Sequence, residues 1–250
     1  MGTLLTSYII STLREHNKLP DNGAIIKTIV TTDSVRGLCV ENNISLYEVL
    51  TGFKYIGEMI GKFEKHKDKT FIFGFEESFG YLMGNFVRDK DAIIASVLIA
   101  EMSLYYKTLG KTLLQGLDEI YQKYGYFKEE LIAIELKGIE GQRKIEACID
   151  SFRNSNYKSI ANRYITYKYD YKALVKYNFI EDKEEKINLP ISNVLKYTLQ
   201  DGAWFVIRPS GTEPKMKIYL GVKEESREEA EKCIAFLKNH ILTLITKMLN

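Results

Sequence analysis

Cysteine, histidine, proline and tryptophan are all scarce in this chain. Its 250 residues hold 3 Cys, 3 His, 4 Pro and 1 Trp. Cys39, Cys148 and Cys233 are far apart and odd in number, which excludes a disulfide framework and a cysteine-based zinc site. They read as reduced core residues of a cytoplasmic protein. His16, His66 and His240 each lie in charged, amphipathic surroundings and supply no metal-ligand spacing. Charge of one sign is also lacking: 35 Lys and Arg against 33 Asp and Glu leave +2. That near-balance speaks against a dedicated nucleic-acid binder, which needs a strongly basic face. No hydrophobic run reaches the length of a membrane span, and the N-terminus does not read as a signal peptide. Internal repeats and low-complexity tracts are absent as well.

What is present is a chain of globular composition, 45% hydrophobic and 27% charged, long enough for two domains. It opens abruptly on an amphipathic helix, "MGTLLTSYIISTLREHN", as though a segment upstream had been removed. "AIIKTIV" (24–30) is the nearly continuous β-branched run of a strand buried on both faces. Asp33 or Ser34 is placed to cap a short helix reaching about Asn43. "ISLYEVL" (44–50) reads as a second strand, a helix follows Gly52, and "TFIFGF" (70–75) reads as a third strand. Strand and helix alternating in this way predict a parallel sheet with crossover helices. "DAIIASVLIAEMSLYYKTLG" predicts a long, largely buried helix. Thr112 with Gln115 forms a capping box for the next helix, which Gly125 ends.

The second half changes character. "LIAIELKG" (131–138) reads as a strand and "EGQRKIEACIDSFR" as an amphipathic helix. The stretch 154–188, rich in Tyr and charge, reads as irregular and packed between domains. Asp201-Gly202 joins two strand-like runs as a hairpin. Met216, Ile218 and Leu220 alternate along a third antiparallel strand. Ser226 and Glu229 cap a last helix whose apolar residues run from Ala230 to Met248. The expected architecture is therefore an α/β domain over 1–126 and a smaller α+β domain over 127–250.

Ligands of open α/β sheets bind beyond the carboxyl ends of the strands. Here those ends are "TTDS" (31–34), "TGFK" (51–54) and "EESFG" (76–80), polar and on one edge if the sheet is parallel. Carboxylates beside a serine in a glycine-bordered loop suit vicinal sugar hydroxyls, and Lys54 adds a cation. In "VRDKDA", Asp89 and Asp91 are in place for helix capping, whereas Lys90 is not explained by a cap. In "IRPSGTEPK" (207–215), two prolines stiffen a turn and Gly211 lets it close. Arg208, Ser210 and Thr212 can then converge with backbone amides on a phosphate, although a polar hairpin turn has the same composition.

"FGFEESFGYLMGNFVRDKDA" followed far downstream by "IRPSGTEPKMKIY", with "TIVTTD" and "LTGFKYIGE", closely resembles the phosphoglucomutase and phosphomannomutase family, the α-D-phosphohexomutases. The resemblance runs through essentially the whole chain and matches the last two of the family's four domains. It implies a parallel-sheet sugar-binding domain followed by a TATA-binding-protein-like phosphate-binding domain. It implies that Glu76 and Ser78 meet sugar hydroxyls with Glu77 beside them, and that Thr51, Gly52 and Lys54 belong to a loop that helps distinguish the faces of the sugar. Lys90 stands where the family often has a basic residue of the cleft. Arg208, Ser210, Gly211 and Thr212 are implied to bind the non-transferring phosphate, with Lys215 nearby.

The family's catalytic phosphoserine lies in a Ser-His-Asn-Pro type loop and its Mg2+ in a D-x-D-x-D type loop. This chain contains no Ser-His pair and no such aspartate triple. The expectation is thus the substrate-recognition half of an enzyme that interconverts hexose 1-phosphate and hexose 6-phosphate. It has no catalytic residue of its own, binds no metal itself and is inactive alone. The partners implied are a hexose phosphate, glucose 1,6-bisphosphate as activator or intermediate, and domains one and two of the family. The alternatives are a stand-alone phosphosugar-binding module and a phosphopentomutase-type fragment. A nucleic-acid binder using the Lys/Tyr stretch is a third rival.

Overall fold

The computed structural model describes residues 1–211 and 213–249. The chain forms two units, Met1–Gly125 and Tyr126–Asn250.

In the first unit the apolar run becomes β1 (Gly23–Thr28), every residue of which is buried. It is flanked in parallel by β2 (Ser45–Val49) and β3 (Thr70–Glu76). A fourth strand, β4 (Gly80–Met83), pairs antiparallel with β3, giving the order β2-β1-β3-β4. This edge strand is absent from the sequence reading, because four residues after a glycine carry too little alternation to register. The helices are α1 (Gly2–Glu15), α2 (Val35–Glu41), α3 (Phe53–His66), α4 (Ala92–Thr108) and α5 (Leu113–Tyr124). Strand alternation divides the core between the two faces of the sheet. Ile25, Phe73 and Phe75 pack with residues of α1, α2, α4 and α5, while Ala24, Ile26 and Leu82 pack with α3.

Two local expectations need correction. α4 is buried along one stripe only, Ala95, Leu98, Met102 and Tyr106; Ile93 is 79% exposed and Leu104 62%. Its apolar residues occupy both faces of the helix, so composition alone could not reveal the exposed side. At the start of α2 the N-cap residue Ser34 makes no side-chain cap. Asp33 is engaged with Lys27 and Arg36, and the Ser34 hydroxyl lies 2.6 Å from that of Thr3. The capping box Thr112–Gln115 forms as read, and Gly125 ends α5 at φ 101°.

The second unit is an eight-stranded antiparallel sheet covered on one face by α6 (Gly138–Asn154) and α7 (Arg227–Leu249). Its strands are β5 (Tyr126–Glu135), β6 (Ser159–Ile160), β7 (Arg163–Asp170), β8 (Val175–Asn178), β9 (Lys183–Lys186), β10 (Leu195–Leu199), β11 (Trp204–Pro209) and β12 (Lys215–Glu224). The order is β5-β12-β11-β10-β7-β8-β9, with β6 paired to β7. Met216, Ile218 and Leu220 are fully buried beneath the helices. Gly202, at φ 83°, turns the β10–β11 hairpin. The stretch 154–188 is not irregular: it holds β6 to β9. Its Tyr and Lys side chains are cross-strand partners, with Lys176 Nζ 4.4 Å from the Tyr167 ring centroid and Tyr169 opposite Lys176. These lysines and tyrosines build a sheet, which accounts for the Lys/Tyr stretch that suggested a nucleic-acid binder.

Candidate functional site

β3 delivers Glu76 at the carboxyl edge of the first sheet, and Glu77, Ser78 and Phe79 turn the chain back into β4. Glu76 faces Gly80 across this hairpin, where a β-carbon would come within 2.8 Å of the Glu76 carboxylate. Only glycine leaves room for that carboxylate. Phe79 occupies the left-handed region at φ 59° and is 84% exposed, an unusual state for a bulky aromatic residue.

Glu76 is only 5% exposed and accepts a hydrogen bond from Lys90 Nζ at 3.0 Å. That bond holds the Lys90 ammonium above its ordinary pKa, against partial desolvation. The segment carrying Lys90 is tied down on both sides. Asp89 accepts from the Lys90 amide at 2.7 Å, and the Asp91 amide donates to the Tyr81 carbonyl at 3.0 Å. Asp91 also caps α4, accepting from the amides of Ile93 and Ile94, the ordinary role for an acid there.

Glu77 Oε2 accepts from the Thr28 hydroxyl at 3.2 Å, which in turn lies 2.7 Å from the Thr31 hydroxyl. The ends of β1 and β3 are thereby joined. Ser78 is exposed beside them. Thr51 and Gly52 follow β2 on the same sheet edge, Gly52 with φ 117° at the start of α3. Lys54 is exposed, its ammonium 4.8 Å from the Tyr55 ring centroid. The structure thus joins Glu76 with Lys90 and Glu77 with the β1 end, and sets Lys54 over an aromatic ring.

In the second unit β11 ends at Arg208-Pro209 and β12 begins at Lys215. The turn between them is closed by Ser210 N donating to the Lys215 carbonyl at 2.7 Å, and Glu213 N donates to Ser210 Oγ. A pocket of about 320 Å³ opens over it, lined by Arg208, Pro209, Ser210, Gly211, Glu213, Lys215 and Lys217. Thr212 lies outside the described residues. Lys215 bonds to Glu135, which raises the lysine pKa and lowers that of the carboxylate. Lys217 stands directly opposite Arg208 in the strand register. Sequence reasoning missed it, although the K-x-K spacing after the turn, read as period-two strand, would have found it.

A larger cleft, about 450 Å³, lies around the amino end of β3 among Ile60, Phe63, Lys67, Lys69 and Phe71; none of the predicted site residues lines it. Among the described residues, Asp201, Glu224 and Cys233 could together offer three ligand atoms to a metal. That space already holds a cation: Arg163 pairs with Asp201 and donates to Cys233 Sγ at 3.0 Å. Burial pushes the Cys233 thiol up to about 12, so it stays protonated. Mg2+ requires hard oxygen ligands in octahedral array, and this set does not fit it.

Comparison with known proteins finds matches to both units. The model of the phosphoglucomutase/phosphomannomutase α/β/α domain III matches residues 2–124, and that of the family's C-terminal domain matches 170–238. A phosphoglucomutase of Staphylococcus haemolyticus is 35% identical over 235 residues, covering 94% of this chain and 41% of the relative. One of Staphylococcus aureus is 37% identical over 224 residues, covering 89% of this chain and 39% of the relative. The chain therefore spans about two fifths of the length of these relatives. Among solved structures, the phosphoglucomutase parafusin of Paramecium in its open form shares the fold, with TM-score 0.63 at 19% identity over 99% of this chain and 41% of that one. A phosphoglucomutase/phosphomannomutase family protein of Burkholderia thailandensis does likewise, with TM-score 0.55 at 10% identity over 98% and 41%. Both domain models match in order and the solved structures share the fold: the chain belongs to the phosphoglucomutase/phosphomannomutase family and matches its domain III and C-terminal domain.

Proposed function

We propose that this chain recognises a hexose phosphate for a phosphohexomutase that interconverts the 1- and 6-phosphates through a bisphosphate intermediate. The observation that carries the reading is the buried Glu76 carboxylate held 3.0 Å from the Lys90 ammonium at the tip of the β3–β4 hairpin. A buried acid with a cation beside it is costly as packing but suited to vicinal hydroxyls, which can donate to the one and accept from the other. Glu77 and Ser78 extend that surface, and Thr51, Gly52 and Lys54 border it from the end of β2. In the second unit Arg208, Ser210, Gly211, Thr212 and Lys215, together with Lys217, form the phosphate loop. The guanidinium supplies a planar pair of donors that matches two phosphate oxygens. Glucose, mannose and pentose phosphates share these groups, so the loops define the class rather than one sugar.

What these residues contribute is positioning and charge, the greater part of protein catalysis in phosphoryl transfer. The phosphoserine and the Mg2+ loop are assigned to the family's domains one and two, since no Ser-His pair occurs here and the donor set at Asp201 does not suit magnesium. Glucose 1,6-bisphosphate is the matching activator or intermediate. The two recognition loops without a nucleophile also favour the phosphosugar-binding module as the description of this chain by itself. The near-balanced charge and paired lysines support no nucleic-acid partner. The three free cysteines support a reducing, cytoplasmic setting. Among the described residues, no single helix is long and apolar enough to cross a membrane.

Titration with glucose 1-phosphate tests the reading. The chain should bind it, and Glu76→Gln should weaken it, while a coupled mutase assay with glucose 1,6-bisphosphate and Mg2+ stays at background. Equal affinity for glucose 1-phosphate and inorganic phosphate would refute sugar recognition, and turnover by the purified chain would refute the division of labour.

A further inference from the structure

Lys27 is the one charged residue of β1, an inner strand of the first sheet, and its side chain is fully buried. A buried ammonium is unfavourable unless every N–H finds an acceptor. Lys27 meets that condition: Nζ lies 2.9 Å from the Thr31 carbonyl, 3.0 Å from a Glu48 carboxylate oxygen and 3.2 Å from Asp33. Arg36 bridges the same two carboxylates from outside, at 3.0 Å to Asp33 and 2.6 Å to Glu48. The cluster sits under the polar loop that follows β1 and ties the loop's backbone down at Thr31.

From there a chain of hydroxyls reaches the sugar loop. Thr28 and Thr31 are both buried. The Thr28 hydroxyl has a single proton, which it donates to Glu77 Oε2 at 3.2 Å. It must then accept from the Thr31 hydroxyl, 2.7 Å away. The direction of every link is therefore set: Lys27 holds the Thr31 backbone, Thr31 orients Thr28, and Thr28 holds one oxygen of Glu77. Stability gives no reason for such a spine, because an apolar side chain of similar volume in place of a buried ion pair is often neutral or stabilising.

We propose that Lys27, which touches no ligand, is a positioning residue that fixes the Glu77 carboxylate for sugar recognition through Thr31 and Thr28. This rests on the assignment of the β3–β4 hairpin as the sugar loop. The test is calorimetric titration of the whole chain with glucose 1-phosphate, and with inorganic phosphate as a probe of the separate loop at Arg208. Lys27→Met and Thr28→Val should each lower glucose 1-phosphate affinity roughly tenfold, the scale of one lost hydrogen bond to a charged group. Inorganic phosphate affinity should be unchanged. Thr28→Ser, which keeps the hydroxyl, should bind as wild type. Thr28→Val/Glu77→Gln should bind no more weakly than Glu77→Gln alone, as expected for links of one chain. If Lys27→Met does not fold, the Thr28 series decides. Loss of affinity in Glu77→Gln with wild-type affinity in Thr28→Val would overturn the positioning role alone. Wild-type affinity in Glu77→Gln would overturn both that role and the sugar-loop assignment.

Discussion

Lys90 and Glu76 are 14 residues apart in the chain and 3.0 Å apart in space. The contact exists because β4 doubles back beside β3 and its following loop is bonded to Tyr81, which brings the start of α4 over the strand end. An acid 5% exposed and a base 54% exposed make an asymmetric pair. The carboxylate is fixed and the ammonium faces outward.

This pair should show a definite pH signature. The bond to Glu76 raises Lys90 above its ordinary value of 10.5. Its contribution to stability is therefore complete below that value and lost as pH rises through the raised one. Lys90→Met should melt below wild type by a constant margin around neutral pH, and the margin should close in strongly alkaline buffer. A margin that widened on raising the pH would contradict the pairing.

Arg208 should dominate phosphate binding. Each charge-assisted hydrogen bond is worth about 1.5–3 kcal/mol. Calorimetry with inorganic phosphate should show at least roughly tenfold weaker binding for Arg208→Ala, with Arg208→Lys recovering little because the planar fork is lost. Equal affinities would remove Arg208 from the phosphate loop.

Gly57 in α3 is a packing constraint on the Lys90 segment. A β-carbon there would lie 2.4 Å from the Arg88 backbone carbonyl, a neighbour that cannot rotate away. Gly57→Ala should cost about 1–3 kcal/mol, the usual scale of overpacking, and weaken glucose 1-phosphate binding by shifting Lys90. Denaturant unfolding and titration check the two effects separately; an unchanged midpoint would show that the loop yields freely.

The thiols should be silent in the folded chain. Burial raises Cys39 to about 12, Cys148 to about 11 and Cys233 to about 12, so almost no thiolate forms near neutral pH. A thiol-disulfide reagent should titrate none of them rapidly under native conditions and all three in denaturant. Rapid native labelling of any one would mark local opening around it.

Much of the fold was legible in the residues themselves. The run from Ala24 gave β1, Thr112 with Gln115 gave a helix start, and Asp201-Gly202 gave a hairpin, because each is a local signal of period, cap or turn. Among the proposed site residues, Glu76, Glu77 and Arg208 were legible only as polar residues at the ends of expected strands. Other features were hidden because their causes are not local. β4 depends on the room Gly80 leaves for Glu76, and the strands within 154–188 depend on cross-strand Lys and Tyr partners rather than on apolar alternation. Lys217 becomes a pocket residue only through its register with Arg208.

Sequence by itself determined β1 to β3 with their crossover helices, the polar residues at the strand ends and the absence of a Ser-His pair, since these need only the identity and spacing of neighbours. Tertiary structure alone decided that Asp33 pairs with Lys27, that Lys90 meets Glu76, and that Thr28 meets Glu77. The physical reason is common to all three. A charged or hydroxyl side chain takes whichever partner lies nearest in three dimensions, and strand order and register, not distance along the chain, set which one that is.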